Sequence, residues 1–291
     1  MAAYCVNSEY RPLKAVMVCK PPPGIENAVN PEDVLHTHKI NYSILEKEYE
    51  EIIKTYRKLK IKVYSLNLPE LSAVDDRYIF NLMFTRDLFF MTPRGAIISR
   101  MGTSIRRDEV IYAQRALEQA GIRIKKHIDD DATFEGADAL WVNGGLVAVG
   151  IGKRTNAKGF EQVSNALRRL GVRCVCLPAP KESLHLLGAV QFVDSDLALV
   201  RTDLIDSQVV NFLKENNIRS ISVPESAEVI TKFAMNFVIV APRLIIIPAD
   251  CHQTKKLYEQ AGITIAAEVR ITQLVNGGGG LACATGVLAR E

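Results

Sequence analysis

Four short polar clusters interrupt an otherwise periodic chain of 291 residues, and they hold the residue types of nucleophilic and acid–base chemistry. They run from Asn81 to Asp87, Phe134 to Asp138, Leu184 to Gly188, and Asn276 to Gly280 followed by Leu281, Ala282 and Cys283. A thiolate is a good nucleophile once its proton is removed or a neighbouring cation lowers its pKa. An imidazole titrates near neutrality and passes protons both ways. Cys283 and His185 supply these groups, beside the carboxylates Asp87, Glu135 and Asp138. Two other candidates carry less. Cys174 and Cys176 share one face of a strand-like segment but lack a second pair for zinc, so core packing is expected. His36 and His38 likewise have no evident metal partners, and no metal or cofactor is expected.

The elements that position these clusters repeat five times: a helix-period segment, a Gly or polar residue, then a short β-branched strand. The strands start at Ile61, Ile122, Val172, Ile218 and Ile263, and Gly121, Gly171, Asn217 and Gly262 precede the last four. Such residues suit the left-handed end of a helix. Apolar stripes at steps of three and four mark the first three helices: Leu45, Tyr49, Ile52, Tyr56 and Leu59; Val110, Ala113, Leu117 and Ala120; Phe160, Val163, Leu167 and Leu170. Strand pairs with tight turns precede the last four helices, at Leu88 to Arg100, Ala139 to Gly150, Val190 to Val200 and Phe237 to Ile247. The first unit has only Leu13 to Cys19. Pairing the tail, Cys283 to Ala289, with that strand completes the unit and removes open sheet edges. The pattern predicts a closed five-bladed α/β propeller of ββαβ units, one domain over residues 1–291; two ordinary α/β domains are the alternative.

Composition narrows the function. Apolar residues make up 48% and charged residues 24% of the chain, an ordinary globular balance. A net charge of +3 without a dense basic run argues against a nucleic-acid partner and for a small ligand. No apolar run approaches the roughly 20 residues of a membrane span. The apolar stretch Ala15 to Cys19 is too short for a signal-peptide core, and six scattered cysteines read as free thiols, so a cytoplasmic location is expected.

The run Phe84-Thr85-Arg86-Asp87, Glu135-Gly136-Ala137-Asp138, Gly152 to Asn156, His185-Leu186 and the glycines before Cys283, in this order, resemble the guanidino-group-modifying (pentein) superfamily. Its members include arginine deiminases, dimethylargininases and amidinotransferases, and its fold is a five-bladed propeller. The resemblance implies that Cys283 attacks a guanidinium carbon, that His185 is the general acid and base, and that Glu135 orients the imidazole. It implies that Asp87 pairs with the guanidinium, with Asn81 beside it, and that Arg154 with Arg106 or Arg107 holds an α-carboxylate. Asp138 would support the loop or bind the substrate head; an ion pair between Asp138 and Arg86 is the alternative. Gly277 to Gly280 would let backbone pass close to a ligand.

Deiminases generally have Asp where this chain has Leu187, and dimethylargininases usually have Lys. The implied activity is therefore hydrolysis of arginine or an Nω-methylated arginine through a covalent thiouronium, giving citrulline plus ammonia or a methylamine. An arginine dihydrolase giving ornithine, an amidinotransferase and a non-enzymatic ribosome-binding factor are the alternatives. The partner is a small guanidino molecule, with a homodimer left open. The irregular stretch from Pro21 to His38 is expected to be a lid.

Overall fold

The computed structural model describes residues 4–21, 24–27, 30–66 and 79–291, and five three-stranded sheets lie within them. The first combines β1 (Leu13–Val18), β2 (Lys62–Ser65) and β15 (Gly286–Arg290). The others are β3 (Phe89–Thr92), β4 (Gly95–Ile98) and β5 (Ile124–His127); β6 (Ala139–Asn143), β7 (Leu146–Ile151) and β8 (Arg173–Pro178); β9 (Val190–Asp194), β10 (Leu197–Val200) and β11 (Arg219–Ser222); and β12 (Val238–Ala241), β13 (Leu244–Pro248) and β14 (Thr264–Val269). In these four, an antiparallel hairpin is followed by a helix and a parallel third strand. The helices are α1 (Tyr42–Lys58), α2 (Glu109–Gln119), α3 (Ala157–Arg168), α4 (Ser207–Glu215) and α6 (His252–Gln260), with short α5 (Ala227–Thr231) and α7 (Thr272–Asn276) outside the repeat.

All five repeat helices end alike. The backbone turns left-handed at Lys60, Gly121, Gly171, Asn217 and Gly262, with φ between 57° and 80°. The next amide reaches back to the helix: Ile61 to Tyr56, Ile122 to Leu117, Val172 to Leu167, Ile218 to Leu213 and Ile263 to Tyr258, at 2.9–3.1 Å. This paired capping satisfies carbonyls that the helix leaves free and aims each chain into its third strand. Lys60 does with neither glycine nor asparagine what the other four positions do, which is why the first unit lacks the sequence signal.

The chain ends meet as the repeat requires. β15 runs antiparallel to β1, pairing Leu13 with Arg290 and Met17 with Gly286, so the tail supplies the first blade's missing strand. Contacts then follow the ring. β15 touches β3, and the short turns Thr85–Asp87, Gly136–Asp138 and Leu186–Gly188 touch in succession. Arg243 bonds Asp194 and Asp196 across the fourth and fifth sheets, and β12 returns to β1.

The hairpin strands nearest the axis are almost fully buried, whereas the third strands are half exposed. Each buried aliphatic side chain contributes roughly 1.5–3 kcal/mol. Cys174 and Cys176 therefore depart from the expected core packing: both lie on β8, Cys174 half-buried and Cys176 exposed. All six cysteines are free thiols. Among the described residues no helix is long and apolar enough to cross a membrane.

Candidate active site

Each blade places one polar side chain just before its inner strand. They are Asp87 before β3, Glu135 before β6, His185 before β9, Asn236 before β12 and Cys283 before β15. Asn236 is the member that sequence reasoning missed. The repeat itself was the available signal, because four clusters at corresponding places leave the fifth position to be filled.

Asp87 and Cys283 are brought together by the turn around Thr85. The Thr85 hydroxyl lies within hydrogen-bond reach of the Met17 and Ala284 carbonyls, at 3.0 and 3.1 Å, and accepts from the Gly286 amide at 2.8 Å. The Arg86 amide donates to the Cys283 carbonyl at 3.1 Å. Tyr56 of α1 adds a 2.6 Å hydroxyl bond to Thr285. The Arg86 side chain pairs with Glu9 at 3.0 Å. The alternative partner, Asp138, instead accepts from the Thr155 hydroxyl at 2.6 Å and the Leu186 amide at 3.0 Å, and so ties the second blade's loop to the turn carrying His185.

Arg106 is not placed to hold a distant carboxylate. Its guanidinium is buried against Asp87 Oδ2 at 2.6 Å and Glu109 Oε2 at 2.9 Å, and also donates to the carbonyls of Asn81 and Phe84. Among the described residues these bonds leave Asp87 Oδ1 buried without a hydrogen-bond partner. Arg154 lies nearer the opening, donating to Glu135 Oε1 at 3.2 Å. Asn81 donates through Nδ2 to the Val34 carbonyl at 2.8 Å, which fixes the segment expected to be a lid. Within that segment the amides of Thr37 and His38 donate to the Asn276 carbonyl at 2.9 and 3.0 Å. The buried His36 packs near Phe80, and burial lowers its pKa to about 4 despite a bond with Asn81. Residues 22–23 and 28–29 of the expected lid lie outside the described residues.

His185 has a carboxylate at each ring nitrogen. Nε2 lies 2.6 Å from Glu135 Oε2, and Nδ1 lies 3.8 Å from Asp87 Oδ1. Burial disfavours the charged ring, but Asp87, Asp138 and Glu135 outweigh it and raise the pKa to about 9. For Glu135 burial is likewise outweighed, chiefly by His185, and the carboxylate is held down at about 2. Burial and the Asp87 charge push the Cys283 thiol up to about 11, opposed by a Gly280 backbone bond and by Asn236.

Asp87, Arg154, His185, Asn236 and Cys283 line one cavity of about 340 Å³, of a size for a small molecule. Gly277, Gly278 and Gly279 form part of its wall. Their close approach is also to protein: a Cβ on Gly279 would sit 2.3 Å from the Phe84 ring, and one on Gly280 2.7 Å from the Asn236 side chain. The run is anchored from a distance by the buried Glu48 of α1, which accepts from the Thr272 hydroxyl at 2.7 Å and the Gln273 amide at 2.9 Å. Glu48 was also missed; it interrupts the helix's apolar stripe.

The sequence profile of the arginine deiminase family matches residues 78–217. Arginine deiminase of Borreliella afzelii is 25% identical over 80% of this chain and 67% of its own. Dimethylarginine dimethylaminohydrolase of Pseudomonas aeruginosa, solved with citrulline, superposes with a TM-score of 0.75 at 21% identity, covering 96% of this chain and all of that one. An amidinotransferase from Microseira wollei, SxtG, gives 0.79 at 16% identity, over 99% and 97% of the two chains. The chain has the pentein fold.

Asp87, Glu135 and His185 offer ligand atoms within 4.8 Å of one another. Arg106 on Asp87 and Arg154 on Glu135 already supply positive charge there, which opposes a metal cation. The arrangement instead joins a thiol, an imidazole and a carboxylate oxygen with no partner around a small cavity.

Proposed function

We propose that residues 1–291 act as one catalytic domain, a cytoplasmic hydrolase of the guanidino C–N bond of free arginine or an Nω-methylated arginine. The observation that carries this reading is that Cys283, His185 and the unpartnered oxygen of Asp87 converge on one cavity. A guanidinium bound there satisfies Asp87 Oδ1 and places its carbon before the sulfur. Its charge lowers the thiol pKa, and the proton leaves to solvent. The thiolate forms a C–S bond while the C=N electron pair moves to nitrogen. As the adduct collapses, His185 protonates the departing amine, leaving an S-linked thiouronium. The neutral imidazole then takes a proton from water, the resulting hydroxide adds to carbon, and the C–S bond breaks as the new hydroxyl gives its proton to solvent, which releases citrulline and restores the thiolate. Glu135 positions the ring throughout, and Arg154 receives the α-carboxylate. Asn81 acts here by fixing the covering segment, and Arg106 and Asp138 by positioning Asp87 and the His185 turn.

Leu187 also lines the cavity, so an apolar wall stands beside the guanidinium and accommodates a methyl substituent. The superposition with SxtG supports a second reading, transfer of the amidino group to an amine. Incubation with arginine, monomethylarginine and dimethylarginine, with assays for citrulline, ornithine, ammonia and methylamines, tests both. Citrulline with an equal amount of ammonia or methylamine is expected. Ornithine would indicate a second hydrolysis, and turnover only with an added amine acceptor would replace hydrolysis by transfer. Inertness toward all three, with and without acceptor, would overturn both readings.

A further inference from the structure

Asn236 holds the fifth blade's place in the ring of site residues, and its geometry is fixed from several sides. Its Oδ1 accepts from the amides of Ala282 at 2.8 Å and Cys283 at 3.2 Å. The amide group can make those bonds only with its NH₂ turned toward the sulfur, and Nδ2 lies 3.1 Å from Cys283 Sγ. The flanking backbone is pinned as well. Gln191 donates to the carbonyls of Met235 and Phe237 at 3.2 and 3.3 Å, and Tyr258 donates to that of Ala234 at 3.2 Å. On the remaining side Gly280 leaves no space for a β-carbon beside Asn236.

We propose that Asn236 is a catalytic residue that donates a hydrogen bond to the Cys283 thiolate and so sets the fraction of sulfur ready to attack. A fixed donor stabilises the anion more than the neutral thiol, because bonds to charged groups are the stronger ones. The site needs such a donor, since burial and Asp87 both work against the thiolate. The same bond assists twice: it favours the attacking sulfur and, when the thiouronium is hydrolysed, the departing one. The inference rests on Cys283 being the nucleophile of the proposed reaction.

The test is the rate of Cys283 alkylation by iodoacetamide across pH, in the full-length protein with Cys283→Ser as background. Asn236→Ala removes the donor and should slow alkylation by roughly three- to tenfold below the thiol midpoint. Asn236→Asp keeps the shape and the acceptor for both backbone amides but turns a negative oxygen toward sulfur, so it should be slower still. A purely structural role predicts the opposite order, with the near-isosteric Asp closest to wild type. Wild-type alkylation in Asn236→Asp would overturn the proposal; if the Ala variant does not fold, the Asp variant alone decides. Alkylation reads the sulfur without substrate. A protein inert toward guanidino compounds therefore leaves this result standing, and failure here leaves the hydrolase reading intact.

Discussion

His185 is clamped by Glu135 at 2.6 Å through Nε2, while Nδ1 faces Asp87 at 3.8 Å. An imidazole so placed is charged in the resting protein, which makes it an acid before it is a base.

The same clamp gives stability a defined pH window. His185 is raised from 6.5 to about 9, so its contribution is complete below pH 6.5 and lost as pH rises through about 9. Glu135 is lowered from 4.5 to about 2, so its contribution is present above pH 4.5 and lost as pH falls through about 2. The stability difference between wild type and His185→Gln should therefore peak between those limits, at about 3 kcal/mol, and shrink toward pH 9. Thermal unfolding across pH measures it; a difference that stays flat from pH 6.5 to above about 9 contradicts the charged pair.

Cys283→Ser should abolish turnover while leaving the unfolding temperature close to wild type, because the change removes little volume. Full activity in this variant would take the sulfur out of the mechanism.

Arg154→Ala should raise KM strongly for arginine but less for agmatine, an amine without the carboxylate that Arg154 is proposed to receive. Equal effects on both substrates would assign Arg154 to holding Glu135 instead, through the 3.2 Å bond it makes there.

Arg106→Met should cost about 3–5 kcal/mol, since it strips Asp87 and Glu109 of the buried cation they share. Urea denaturation reads the loss. A cost below about 1 kcal/mol would mean that the pair is solvated rather than buried.

The periodic parts of this molecule and its polar clusters were legible in the sequence, and the contacts between distant side chains were not. Helix stripes and strand starts predicted the sheets because burial imposes the same spacing on each blade. Apolar segments at both ends predicted the pairing of β1 with β15 for the same reason. The resemblance offered Arg106 or Arg107 as a holder of an α-carboxylate; the burial of Arg106 against Asp87, 19 positions earlier, shows only once the chain has folded. Asn236 carries no local motif, since Lys232 to Asn236 reads as loop. The Phe84-Thr85-Arg86-Asp87 run was legible as a motif, but Thr85's service to three strand-end groups on other elements was not.

The pairing of β1 with β15 has a consequence for the newborn chain. The sulfur sits beside the seam, so Asp87, Glu135 and His185 are synthesised long before Cys283. Until β15 docks, one edge of β1 stays unpaired, while β2 covers the other. Closing the long loop between β1 and β15 is entropically slow, which places this docking late in folding. A chain cut short before Gly286 is left with that edge of β1 open to pairing with another strand.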